Sequence, residues 1–129
     1  MTGAAERRAL QAAVTVLALV PVGAGLAGAL SGAAFLGVPD GTADLDSHVR
    51  YLSGLLLAVG IGFWRCVPAI ESRGGRFALL TAIVATGGLA RLAGVAAEGW
   101  PGPAMMFGLV MELAVTPGLY LWQRRIARR

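Results

Sequence analysis

A chain of 129 residues is long enough for one domain, but 57% of it is apolar and only 14% charged, against about a quarter charged in soluble domains. A soluble protein of this size has too little interior to hide so much Leu, Val and Ala, so the composition excludes an ordinary soluble fold and points to lipid as solvent. The net charge of +4 rests on arginine alone, and the arginines flank apolar runs instead of forming a stripe, which argues against a nucleic-acid partner.

The first apolar segment runs from about Leu10 to Leu36, after Arg7 and Arg8. Its small-residue stretch Ala29–Leu30–Ser31–Gly32–Ala33 resembles a signal-peptide cleavage site, but an h-region normally spans about 7–15 residues. The segment is therefore expected to stay as a helix, kinked near Pro21. Ala24, Gly28 and Gly32 stand four apart, a spacing that lets helices approach closely. Packing inside one bundle is the plainer use of that face; Gly28 and Gly32 are also where the chain would form a homo-oligomer.

The second segment covers about Ser47 to Val67 and follows an acidic loop holding Asp40, Asp44 and Asp46. Asp46 is expected to cap this helix, with Arg50 one turn further on the same face. Cys66, the single cysteine, excludes an internal disulfide. The third segment, about Phe77 to Ala97, follows Arg73 and Arg76 and contains Arg91. Ala90 and Gly94 repeat the small-residue spacing there. The fourth, about Ala104 to Trp122, contains Glu112 and runs into Arg124, Arg125, Arg128 and Arg129.

Each segment is near the ~20 residues that cross the hydrocarbon core. Four crossings put both termini on one side. Arg7, Arg8, Arg65, Arg73, Arg76 and the four C-terminal arginines then share that side, which the positive-inside rule makes cytoplasmic. Trp64 and Trp122 mark the inner interface and Trp100 the outer one. The short loops force sequential helices to be antiparallel. The expected fold is all-α: an integral membrane up-down-up-down four-helix bundle, multi-pass in a cytoplasmic (inner) membrane, with cytoplasmic N- and C-termini.

Arg50, Arg91 and Glu112 lie inside apolar segments, and by helical rise Arg91 and Glu112 sit roughly 12 and 14 Å from the outer helix ends. A charge at such depth costs about 2.5–3.5 kcal/mol on insertion scales. Glycine stands one turn from each: Gly54 from Arg50, Gly87 and Gly94 from Arg91, Gly108 from Glu112. These glycines either let helices pack beside the charges or leave a cleft. With Asp46 the set can neutralise itself as a structural network. It can instead bind a small amphipathic or anionic ligand, a lipid-like molecule included, through Arg50 and Arg91 with Glu112, Asp46, His48, Tyr51 and Gly54. A third reading is a membrane-embedded acid–base enzyme (an isomerase, cyclase or epoxide-opening catalyst) with Glu112 as proton donor and Asp46 or His48 as base. A fourth is a structural accessory subunit that uses the glycine faces to bind another membrane protein.

His48 alone is too few ligands for a metal, and Met105, Met106 and Met111 in apolar helices are ordinarily packing residues. No cofactor is expected, and no nucleotide-binding loop, nucleophile elbow or zinc-protease motif is present.

The runs Asp46–Ser–His48–Val–Arg50–Tyr51–Leu–Ser–Gly54, Gly87–Gly88–Leu–Ala–Arg91–Leu, and Met111–Glu112–Leu with Pro117 and Leu121–Trp122–Gln123–Arg124 resemble the bacterial domain-of-unknown-function family 4345. The resemblance covers roughly Asp44 to Arg125. It implies a small bacterial membrane protein with four helices. Asp46, His48, Arg50, Gly54, Arg91, Glu112 and Pro117 are its pattern positions. It implies no particular activity.

Overall fold

The computed structural model describes residues 2–38 and 40–129. All regular structure among them is helical: α1 (Gly3–Leu17), α2 (Leu19–Ser31), α3 (Ala43–Cys66), α4 (Gly74–Glu98), α5 (Pro103–Val110) and α6 (Thr116–Ala127). Short 3-10 turns cover Gly32–Leu36 and Val67–Ala69, and a π-helical turn, Met111–Val115, joins α5 to α6. These elements make up four helical stretches of 34, 27, 25 and 25 residues, each long and apolar enough to cross a membrane. The chain therefore has the helices of a small multi-pass membrane protein.

Its outer surface agrees with that. Leu30, Tyr51, Leu79, Leu89 and Leu121 are all at least 60% exposed, among many other large apolar side chains. In water such a surface would drive aggregation; against acyl chains it costs nothing.

The helical stretches all begin before the hydrophobic runs, because caps and polar first turns are invisible to hydropathy. α3 starts at Ala43, four residues before the expected Ser47. Thr42 is its N-cap, its hydroxyl accepting from the Leu45 amide at 3.2 Å. Asp46 is thus not the cap: it lies within the first turn, where a carboxylate still favours the helix dipole. The first segment is interrupted at Ala18, one turn before Pro21. Pro21 has no N–H to give the Leu17 carbonyl, so the ladder breaks near the expected kink.

The chain divides into two compact units, residues 12–67 and residues up to Gln11 together with 68–129. In the first, α2 and α3 run antiparallel at backbone contact. A Cβ on Gly25 would fall 2.7 Å from the Ser53 carbonyl oxygen, and one on Gly60 would fall 3.0 Å from the Val22 amide. Trp64 Nε1 donates to the Thr15 carbonyl at 3.0 Å at one end. At the other, Gly28 packs on Ser53 and Gly32 on Asp46 and Arg50. The Gly28/Gly32 face, also considered for self-association, is filled by the chain's own α3.

In the second unit α4 packs antiparallel on α5, the π turn and α6. Gly88 meets Glu112 and Leu113, and Gly74 meets Gln123. Leu10, Ile70 and Phe77 of this unit are fully buried.

Candidate functional site

Arg91 and Glu112 meet within the second unit. Arg91 Nε donates to Glu112 Oε2 at 3.0 Å and Nη2 to Oε1 at 2.9 Å, a two-pronged ion pair. Nη1 points at the Met105 sulfur, 3.1 Å away. Met105 therefore solvates a charge with its thioether, a weak acceptor, and does more than fill space. Glu112 is largely sheltered and the Arg91 side chain is one-third exposed. The guanidinium is planar and matches the carboxylate edge, the geometry that makes such pairs strong.

Two glycines set the spacing, and only one of them is a glycine the sequence pattern singles out. A Cβ on Gly108 would stand 3.6 Å from Arg91 Cζ, so this glycine faces the guanidinium across the helix contact. Gly88 does the closer work, since a Cβ there would come within 2.8 Å of the Glu112 Cβ. Gly54, Gly87 and Gly94 have nothing within 4 Å of such an atom. One-turn spacing along a helix finds residues on the same face; it does not say which neighbouring helix covers that face.

The π turn carries Glu112. Pro117 cannot donate to the Leu113 carbonyl, and its ring would clash with it in a regular helix. The backbone widens instead: the Met111 carbonyl accepts from the Thr116 amide, five residues on, and from the Thr116 hydroxyl at 2.7 Å. Single π turns of this kind recur at functional sites. The Thr116–Pro117 pair, close after a lone acid in an apolar helix, was the available signal for it.

Asp46 and Arg50 meet in the other unit, and their job there is legible. Arg50 Nε donates to Asp46 Oδ2 at 2.7 Å, while Nη1 donates to the carbonyls of Ala29 and Leu30 at 3.0 and 2.8 Å. Asp46 Oδ1 accepts from the Ala33 amide at 2.9 Å. Those carbonyls belong to the last turn of α2 and lack helical partners. The pair therefore closes the end of α2, where a cation is also favoured by the dipole. His48 and Tyr51 are exposed and join neither ion pair, and Gly54 faces open space. Among the described residues no three His, Cys, Asp or Glu side chains group as a metal site.

A further cluster, which hydropathy and the topology rule passed over, sits at the arginine-rich end of the second unit. Glu6 is almost wholly buried. It accepts from Trp122 Nε1 at 3.3 Å and pairs with Arg125 Nε at 3.3 Å and with Arg129 Nη1. Arg7 Nε pairs with Glu71 at 2.8 Å, and its Nη2 donates to the Pro68 carbonyl at 3.1 Å. Glu71 lies outside the spanning stretches. Hydrogen bonding from Arg7, more than its charge alone, holds the Glu71 carboxyl below the usual carboxylate range. Gln123 is buried and donates to the Ile70 carbonyl at 2.9 Å. The available signal was Glu6 itself, an acid at the end that positive-inside counting treats as uniformly basic.

Comparison with curated proteins and with solved structures returned no match. One family model does match, over residues 9–123, nearly the whole chain, and it takes in Arg91, Glu112, Pro117, Asp46 and Arg50 together. The chain belongs to the family described as a domain of unknown function, DUF4345.

Proposed function

We propose that this protein is an up-down-up-down four-helix bundle of a bacterial inner membrane, with both termini cytoplasmic, and that Arg91 and Glu112 form its binding site for a small amphipathic anion. The arginine distribution supports the orientation. The observation that carries the site is the two-pronged Arg91–Glu112 pair on a partly open guanidinium. A ligand carboxylate or phosphate offers the same two-oxygen edge as Glu112 and can take its place on Arg91. The neighbouring π turn supplies a helix segment with an irregular ladder, able to let Glu112 move aside. Asp46 and Arg50, first grouped with this site, are committed to the end of α2. The acid–base enzyme is disfavoured because both carboxylates are engaged: Glu112 by Arg91, Asp46 by Ala33 and Arg50.

The accessory-subunit reading has one observation in its favour, that each intramembrane charge already has a partner in the chain. Mass spectrometry of lipids and metabolites retained by detergent-purified protein separates the two. The binding site predicts a retained anion that Arg91→Gln loses and Glu112→Gln keeps or enriches. If neither variant changes what is retained, the site is refuted, and a co-purifying membrane protein becomes the expected finding.

A further inference from the structure

The C-terminal arginines divide by helix face. Arg125 and Arg129, four apart, turn to Glu6. Arg124 and Arg128, also four apart, have no carboxylate partner among the described residues and line a groove of about 460 Å³. That volume lies within the roughly 300–1,000 Å³ of small-molecule clefts. The other walls are Gly74, Gly75 and Ala78 of α4 and Tyr120, Gln123 and Ala127 of α6, with no acid among them.

Two independent features make this groove a site. The first is the start of α4. Its N-cap residue, Arg73, supplies no side-chain hydrogen bond to the first turn. The amides of that turn lack helical acceptors and carry the positive end of the dipole, which suits an anion. A Cβ on Gly75 would meet nothing within 4 Å, so a ligand can approach this backbone directly.

The second feature is Gln123, which is 1% exposed. Its Nε2 is tied to the Ile70 carbonyl, and its Oε1 has no donor. That amide lies against Gly74, at the groove wall, within 3.4–3.7 Å of where a Gly74 Cβ would be. Oε1 lies just beneath the groove wall, and a buried acceptor without a donor is costly, so a hydroxyl that reaches it through a small shift of the side chain would be held. Tyr120 adds a phenol, with the Arg124 guanidinium 5.8 Å from its ring centre.

We infer that the groove between the start of α4 and the end of α6 binds a phosphate group that carries a hydroxyl. Arg124, Arg128 and the α4 amides take the anion, and Gln123 Oε1 accepts from the hydroxyl. A glycerol-headed anionic lipid supplies this chemistry, and so does a free, partly protonated phosphate. The site is separate from the Arg91–Glu112 pair and does not depend on the reading given to it.

Native mass spectrometry on the full chain, titrated with dioleoylphosphatidylglycerol or dioleoylphosphatidylcholine, tests it. The phosphatidylglycerol should bind preferentially. The exposed double variant Arg124→Gln/Arg128→Gln should lose roughly 30-fold in that affinity, as two removed headgroup charges imply. Arg8→Gln/Arg65→Gln removes the same charge elsewhere and should change it less than about threefold. Equal losses in the two variants, or no preference between the lipids, would overturn the site. Inorganic phosphate is then added in competition: displacement of the lipid assigns the groove to free phosphate, and persistence of the lipid assigns it to the headgroup. Either result requires the Arg124/Arg128 dependence.

Discussion

Gly88 and Glu112 touch across two helices: a Cβ on Gly88 would stand 2.8 Å from the Glu112 Cβ and 2.9 Å from Leu113 Cγ. The neighbouring Gly87 faces open space. Two adjacent glycines thus have opposite sensitivities. Gly88→Ala should destabilise by about 1–3 kcal/mol, because the helices must part at the level of the ion pair. Gly87→Ala should be neutral or stabilising by up to ~1 kcal/mol through helix propensity alone. Thermal unfolding in detergent compares them. Similar effects of both changes would show that α4 and the π turn are not held this closely.

Breaking the ion pair from one side should cost more than removing it altogether. Arg91→Ala or Glu112→Ala strands the partner, at about 2–3 kcal/mol, somewhat under the ~3–5 kcal/mol of fully enclosed pairs because Arg91 is partly open. The double variant Arg91→Met/Glu112→Leu should recover most of that. A double-mutant cycle measures the coupling, and strict additivity would contradict the two-pronged contact.

Arg50 serves the end of α2 through a fork that lysine cannot reproduce. Arg50→Lys should lose roughly 1–2 kcal/mol and raise amide exchange in the last turn of α2. Gly32 (φ 61°, ψ −141°) and Gly37 (φ 75°, ψ 23°) both have positive φ, but only Gly37 is in the left-handed helical region, where alanine costs about 1–2 kcal/mol. Gly32 adopts a conformation almost confined to glycine, so alanine is more strained there. Only at Gly32 would the new methyl also overlap Asp46 Oδ1. Gly32→Ala should therefore be the worse of the two, and repeating it on an Asp46→Ala background measures how much of its cost is the Asp46 contact. An unchanged cost on that background would remove Asp46 from the clamp.

Glu71 gives the arginine-rich end an acid-sensitive contact. Its folded-state pKa lies below the ordinary 4.5, so the Arg7 pair contributes fully above that value. The contribution fades as pH falls through the lower folded value. Both side chains are well exposed, so the effect is modest and should shrink with added salt. Unfolding temperature followed from neutral to acid pH should fall less steeply in Glu71→Gln than in the natural protein. Identical slopes would mean that the pair adds nothing.

Hydropathy and charge placement alone determined the membrane class, the four helical stretches and a break in the first helix near Pro21, because each depends on residues close in sequence. They also put Asp46 and Arg50 on one face, since a four-residue step closes one helical turn. The helix starts were less accessible: Thr42 extends α3 through a cap, which carries no hydrophobic signal. Only tertiary structure decided the pairing of Arg91 with Glu112, 21 positions apart, because helix rotation and register set which faces meet. It also decided that Gly88 and Gly32, not Gly87 or Gly54, are the glycines packed closely against the ion pairs. Glu6 makes the same point over the longest span: its partners lie at the opposite end of the chain. Nothing local to Glu6 could announce that it divides four arginines into two that are satisfied and two that still face an open groove.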